Sequence, residues 1–219
     1  MIEKNAKLNM VFMGPPGVGK GTVASVISST NEFVHLSTGS IFREEIAKAT
    51  PLGLKVSEIV KSGKYVTDDI TNEIVKNKLT ELMSQNKKVI LDGYPRTINQ
   101  AQFLDNIEGF EYVVVSLFAQ DDLILKRLSG RRFCPQCKSS YHVLYMPSKL
   151  GDKCEKDGVE LATRPDDTIE AIKVRQKIYH DETKPLLDFY EQNNRVISVD
   201  ANGNADDIAK DVLAKVKNN

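Results

Sequence analysis

The segment Gly14-Pro15-Pro16-Gly17-Val18-Gly19-Lys20-Gly21-Thr22 constrains this chain most. It follows an apolar run, Leu8–Met13, and leads into a helical pattern from Val23 to Ser28. Strand, glycine loop, lysine and helix in that order make a phosphate-binding loop. Glycines let successive backbone N–H groups turn inward around a polyphosphate, and the helix N-terminus adds partial positive charge. Lys20 supplies a mobile full charge for the outer phosphates. Glycine-rich turns after strands are common, but Gly14, Gly19 and Lys20 stand at the spacing this loop requires. Gly21 occupies the place where most such loops carry a Ser or Thr that touches Mg²⁺, and Thr22 comes one place later. The loop is therefore expected to hold its metal mainly through the nucleotide and water.

Beyond the loop, strand and helix patterns alternate. Strands are expected at Leu8–Met13, Phe33–Ser37, Lys88–Asp92, Tyr112–Phe118 and Arg195–Asp200, all short apolar runs of the kind a parallel sheet buries on both faces. Helices are expected at Thr22–Ser29, Ile41–Ala49, Leu54–Ser62, Asp69–Gln85, Thr97–Asn106, Asp122–Leu128, Asp167–Tyr190 and Ala205–Lys217. The sum is a doubly wound α/β fold around a five-stranded parallel sheet, with ligands at the carboxyl ends of the strands. Ser40–Val66 and Phe133–Arg164 interrupt the alternation and read as insertions where moving lids would sit. With 219 residues the chain is long enough for one large core carrying such insertions.

Lys+Arg and Asp+Glu number 30 each, so net charge makes no case for nucleic acid or a membrane surface. No apolar stretch approaches the roughly 20 residues of a membrane span. Local charge carries the argument instead. Asp92 ends an apolar strand, where such proteins place an acid that holds Mg²⁺ directly or through water, and Arg96 and Gln100 follow it. A strand-terminal Asp also caps turns, but Arg96 and Gln100 beside it suggest an anion and base pocket. Arg127 and Arg131 are expected on one helix face, four residues apart. Arg164 and Arg175 flank the start of the long helix, whose entry reads as capped by Asp167 with Glu170. With Arg43 and Arg96 from other segments, this recurrence at strand ends and insertion borders points to phosphate clamping. No Ser-His-Asp or Cys-His constellation is present. Transfer to a phosphate needs none, because the attacking oxygen is already an anion.

Three cysteines, an odd number, argue for a reducing compartment and against a disulfide framework. Cys134-Pro135-Gln136-Cys137 and Cys154-Glu155-Lys156-Asp157 are equally spaced pairs with sixteen residues between Cys137 and Cys154. That is a zinc-ribbon pattern with Asp157 in place of a fourth cysteine. His142 is the rival ligand, ahead of Asp152 and Glu155. The polar segment lacks a hydrophobic core, so Zn²⁺ there is expected to support folding and not chemistry. His35 and His180 are assigned no role.

Taken together, these motifs resemble the adenylate kinases, of the bacterial type with a long metal-binding lid. The resemblance spans nearly the whole chain. It rests on Gly14–Thr22, Ser37-Thr38-Gly39 with Arg43, Gly63–Asp68, Asp92–Arg96 with Gln100, Gly130-Arg131-Arg132, and Arg164–Asp167 with Arg175. It implies reversible transfer from Mg·ATP to AMP, giving two ADP, as part of adenine nucleotide homeostasis. It implies ATP contacts from Gly17, Val18, Gly19, Lys20, Gly21, Thr22, Arg131, Ser140, Tyr141 and Gly203, the last near the ATP base. It implies AMP contacts from Thr38, Arg43, Lys64, Tyr65, Val66, Gly93, Tyr94, Pro95, Arg96, Gln100, Arg164 and Arg175, with the 64–66 backbone lining the base. Lys20, Arg127, Arg131, Arg164 and Arg175 would stabilise the transferring group, and Asp92 would orient water on Mg²⁺. Cys134, Cys137, Cys154 and Asp157 would hold the Zn²⁺.

The implied layout is core at 1–36, 67–129 and 168–219, an AMP-side lid at 37–66, and a zinc-binding lid at 130–167. The resemblance also implies a cytoplasmic monomer with no nucleic-acid or membrane partner. Ser40 and Ile41 depart from the acidic residue and Leu usual there, which bears on packing of the AMP-side lid. Kinases of other nucleoside monophosphates remain alternatives; Thr38 and the long lid argue against the pyrimidine-specific kind. A GTP-using relative is harder to separate. A zinc-ribbon nucleic-acid module on a nucleotide-binding domain is the non-enzyme alternative. Neutral charge and the lack of a basic, aromatic-rich strand face count against it.

Overall fold

The computed structural model describes residues 8–30 and 32–218. Five parallel strands form the central sheet: β1 (Asn9–Met13), β2 (Phe33–Ser37), β3 (Lys88–Asp92), β4 (Tyr112–Phe118) and, last in the chain, β7 (Val196–Asp200). Their order is β2-β3-β1-β4-β7. All ladders are parallel. Every β1 residue is buried, and alternate side chains serve opposite faces. Met10 and Phe12 join Ile27, Leu117 and Val212 on one side. Val11 and Met13 join Leu79, Leu104 and Tyr190 on the other. A continuous apolar run is what such two-sided burial demands.

Helices α1 (Lys20–Ser28) and α9 (Ala205–Lys217) cover the first face. Helices α4 (Asp68–Ser84), α5 (Ile98–Asp105) and α8 (Lys184–Gln192) cover the second. Connections leave β1 toward β3 and β2 on one side and toward β4 and β7 on the other. The crevice at the carboxyl end of β1 is thus the place where a ligand can enter.

Two segments stand outside these layers. Helices α2 (Thr38–Ala47) and α3 (Pro51–Lys61) make a hairpin with its own small core of Phe42, Val56 and Val66. Ser37 starts α2 earlier than the apolar pattern suggests, its side chain accepting from Ser40 N–H. The second segment follows α6 (Asp121–Ser129) and contains the antiparallel pair β5 (Arg131–Phe133) and β6 (Ser140–His142), then a series of isolated bridges.

Three expectations change. Arg131 is not on α6 with Arg127; the helix ends at Ser129, and Arg131 opens β5. Asp167 does not cap the following helix. Thr168 does, accepting from Ala171 N–H, because the Asp167 carboxylate is taken by arginines. The helix expected over Asp167–Tyr190 is several pieces: a 3₁₀ turn at Pro165–Asp167, α7 (Ile169–Ile178), a π-helical segment at Tyr179–Thr183, and α8. Pro185 supplies the reason. It lacks the N–H that would bond Asp181 C=O, and its ring crowds that carbonyl, so the turn before it widens.

Candidate active site

A cavity of about 730 Å³ opens at the carboxyl end of the sheet. Its floor is the glycine loop. Gly14 has φ +134, and a Cβ there would lie 2.2 Å from Leu117 O, so no other residue fits the turn out of β1. Lys20 Nζ folds back onto the loop, donating to Gly14 O at 2.7 Å and Pro15 O at 3.0 Å. Gly21 also has a local reason. A Cβ there would stand 3.2 Å from Asp92 Oδ2, so the space against that carboxylate stays open.

Asp92 ends β3 beside β2, and His35 Nε2 lies 3.2 Å from its Oδ2. Burial works to raise the Asp92 pKa. The His35 hydrogen bond and the charges of His35, Lys20 and Arg96 overcome that and leave it at about 2. Burial likewise pushes Lys20 down to about 8; Asp92 opposes this, while Arg96, Arg175 and Arg131 add to it. An ionised carboxylate and a buried ammonium therefore influence one another electrostatically at the loop.

The same cavity is lined by Arg43, Arg96, Arg127, Arg131, Arg164 and Arg175. Burial lowers Arg164 to about 9, and the adjacent Arg131 and Arg43 add to the shift. Arg43 and Arg175 are also lowered, first by burial. Part of the crowded charge is held by two acids that sequence reasoning did not single out as ion-pair partners. Asp167, with a fully buried side chain, receives Arg131 through Nε at 2.7 Å and through Nη2, and Arg175 at 3.1 Å. Asp166 receives Arg175 at 3.0 Å. Arg164 Nε and Asp166 Oδ1 are buried without a partner. So much cationic charge in one half-enclosed space is unfavourable until a polyanion enters. Arg127 is placed differently: it donates to Val18 O, Ala201 O and Gly203 O, tying α6 to the loop and to the turn after β7.

A smaller pocket continues beside it, lined by Thr38, Arg43, Lys64, Tyr65, Val66, Gly93, Arg96 and Gln100 among others. Thr38 Oγ1 donates to Gly93 O at 2.9 Å. Arg96 Nε donates to the same oxygen at 2.7 Å, leaving its terminal nitrogens toward the cavity. Gln100 is buried and paired on both sides, accepting from Arg96 N–H at 2.8 Å and donating to Asp68 at 2.7 Å. The Tyr94 side chain leaves the pocket. It is fully buried in the core, where its hydroxyl donates to Asn72 Oδ1 at 2.6 Å and lies 3.1 Å from Gln100 O, so only its backbone can face a ligand.

In the β5–β6 segment, one ligand atom each from Cys134, Cys137, Cys154 and Asp157 lies within 4.8 Å of the others. Cys137 Sγ and Cys154 Sγ are 3.4 Å apart, and Cys134 Sγ is 3.2 Å from Asp157 Oδ2. Two knuckles of the same form present them. Lys138 N–H bonds Cys134 O, and Gly158 N–H bonds Cys154 O; Lys138 and Gly158 both take positive φ, 62° and 72°. Backbone N–H groups of Gln136 and Cys137 point at Cys134 Sγ, and that of Lys156 at Cys154 Sγ. Such donors favour thiolates. This donor set fits a closed tetrahedral zinc site. His142 is used elsewhere: its Nε2 lies 3.2 Å from Lys126 O, and its Nδ1 accepts from Leu144 and Tyr145 N–H.

A family model for adenylate kinase matches residues 12–195. The chain belongs to the adenylate kinase family. An adenylate kinase of Mycoplasma mobile is 49% identical over 213 residues, covering 96% of this chain and 98% of that protein. One of Mycoplasmopsis pulmonis is 47% identical over 207 residues, covering 94% and 97%. One of Thermosipho melanesiensis is 42% identical over 210 residues, covering 94% and 98%. None of these names mentions a metal.

In this member of the adenylate kinase family, one cavity gathers residues from widely separated segments. Gly17, Val18, Gly19, Lys20, Gly21, Thr22, Ser140, Tyr141 and Gly203 line it together with Asp92 and the arginines. His35 was missed from sequence. Its partner is 57 positions away, and only the β2–β3 register brings the two together. The lowered Lys20 pKa predicts that polyphosphate binding at this loop depends on pH. The Lys20 ammonium stands at about 8 in the free protein, and a triphosphate bound at the loop would stabilise it. Binding then takes up a proton above that pH, so ATP affinity should fall as pH rises from 7 to 9, by up to about tenfold per unit. Calorimetry in buffers of different ionisation enthalpy reads the proton directly; uptake that stays at zero across pH 8–9 would refute this.

Proposed function

We propose that the protein transfers a phosphoryl group reversibly between Mg·ATP and AMP, giving two ADP. One observation carries this reading: Lys20 on the glycine loop and Arg43, Arg96, Arg131, Arg164 and Arg175 from both sides line one cavity. A polyphosphate on the loop and a monophosphate on Arg43 and Arg96 would meet there end to end. The acceptor oxygen is an anion and needs no base. Catalysis then rests on holding the two phosphates in line and on cations placed where charge develops.

In this reading Lys20 follows the outer phosphates, and Arg131, Arg164 and Arg175 surround the transferring group. Arg127 secures the loop and the donor-base end near Gly203. Thr38, Gln100 and residues 64–66 line the acceptor side. Mg²⁺ bound with ATP would neutralise phosphate charge. Asp92 is ionised and adjoins the open face of Gly21, which suits an ion held through water and nucleotide. We assign the α2–α3 hairpin, within 37–66, as the AMP-side lid and 130–167 as the zinc-binding lid over ATP, with 1–36, 67–129 and 168–219 as core. A monomer serving cytoplasmic nucleotide homeostasis completes the proposal. Among the described residues no helix is long and apolar enough to cross a membrane.

The deciding experiment is a coupled assay with ATP against AMP, CMP, UMP and GMP. AMP should be the preferred acceptor, and equal turnover of CMP or UMP would overturn the assignment. Arg96→Ala should raise the KM for AMP and slow transfer, together about 10²-fold in kcat/KM, because a bidentate phosphate contact is lost. An unchanged kcat/KM for AMP would remove Arg96 from the acceptor site.

A further inference from the structure

Arg96 is held in place by more than its own loop. Its N–H is fixed by Gln100 and its Nε by Gly93 O. Its carbonyl accepts from Thr183 Oγ1 at 3.1 Å. Thr183 Oγ1 also lies 3.0 Å from the Tyr65 hydroxyl. A threonine hydroxyl has one proton. Since Thr183 gives it to Arg96 O, the Tyr65 hydroxyl is the donor to Thr183. The chain of bonds therefore runs Tyr65 to Thr183 to Arg96. It closes on itself, because the Arg96 guanidinium carbon sits 4.6 Å from the centroid of the Tyr65 ring.

The backbone explains how these groups meet. Thr183 ends the π-helical segment, and Tyr179 begins it; both line the cavity. A π turn inserts one residue and shifts the helix face by roughly 100°. Thr183 is buried, and Tyr65 stands on the segment just after α3, which touches both pockets. π-Bulges are found often at functional sites. Here the segment carries a hydroxyl to the carbonyl of a phosphate-facing arginine.

We propose that Tyr65 and Thr183 are positioning residues for the acceptor phosphate: the Tyr65 ring and the Thr183 hydroxyl orient the Arg96 guanidinium from behind, and Tyr65 couples that orientation to the α2–α3 hairpin. The proposal rests on the reading of Arg96 as an acceptor-phosphate ligand. It gives the Tyr65 side chain a task separate from the backbone lining of the acceptor base.

The test is AMP binding by calorimetry and steady-state kinetics on full-length Tyr65→Leu, Tyr65→Phe, Thr183→Val and Thr183→Ser proteins. Tyr65→Leu removes both ring and hydroxyl and should weaken AMP about 3- to 30-fold, the range of a desolvated cation–π contact. Tyr65→Phe loses one hydrogen bond and Thr183→Val loses two, while both keep the ring; they should weaken it less, about 2- to 5-fold, with Thr183→Val at the upper end. Thr183→Ser keeps the hydroxyl and should bind AMP as the parent does. The KM for ATP should stay within about twofold in all four. A structural role alone would move both substrates together. AMP affinity unchanged in both Tyr65→Leu and Thr183→Val, or ATP KM rising by the same factor as AMP, would overturn the proposal. Failure of the parent protein to bind AMP at all would instead remove the reading of the site on which it rests.

Discussion

Replacing Lys20 with methionine is expected to lower phosphoryl transfer at least about 10²-fold while leaving the fold intact, the scale of one preorganised charge acting on a transition state. Methionine keeps the length and apolar stem and removes the charge. Among the described residues Lys20 Nζ bonds only to Gly14 O and Pro15 O, both within its own loop. Its pKa of about 8 lies below that of an exposed lysine, so its charged form is disfavoured in the folded state. That penalty is full below pH 8 and fades as pH rises toward the unfolded-state value. Removing the charge relieves it, at the loss of two hydrogen bonds to carbonyls. The melting temperature should therefore shift by only a few degrees. Turnover, ATP affinity and melting measured on the same preparation separate loss of chemistry from loss of structure. Turnover within tenfold of the parent would contradict the assigned role, as would a loss of activity matched by unfolding.

Removing metal from the β5–β6 segment should have the largest effect on stability. Apart from Cys134, Tyr141 and Cys154, that segment has only Val159 and Leu161 packed into its own cluster. So small a core cannot offset the entropy of ordering some thirty residues. A tetrahedral zinc can, because its binding energy is folding energy. About one equivalent of zinc per chain is expected. Chelation, or Cys134→Ser, should lower the melting temperature by at least about 5 °C, with the loss starting in this segment as local unfolding. Asp157→Cys should keep the metal, since it completes a four-thiolate set. Elemental analysis decides: under about a tenth of an equivalent, with no change in melting on chelation, would leave these residues as ordinary thiols.

The sheet, the glycine loop, Asp92 and the paired Cys-x-x-Cys and Cys-x-x-Asp spacing were legible because each is written in consecutive residues. A buried parallel strand must be an apolar run, a phosphate loop must have glycine where φ is positive, and a metal knuckle must repeat its own spacing. The repeated spacing favours Asp157 over His142 as the fourth ligand, and the structure gathers Asp157 with the three cysteines while His142 is engaged with Lys126 O and the Leu144 and Tyr145 N–H groups. Other features depended on which side chains the fold brings together. Asp167 stands where a helix cap is expected, but Arg131 and Arg175 claim its carboxylate. Tyr94 stood in a motif that faces the cleft, yet its ring turned into the core. His35 met Asp92, and Tyr65 met Thr183 and Arg96, across 57 and 118 positions for the two hydrogen bonds that show it. The chain by itself determined the elements and the chemistry each loop could carry, because those follow from local backbone geometry and periodicity. Tertiary structure alone decided which charges neutralise one another and which remain open to a ligand. Charge pairing depends on distance through space, and sequence separation carries no record of it.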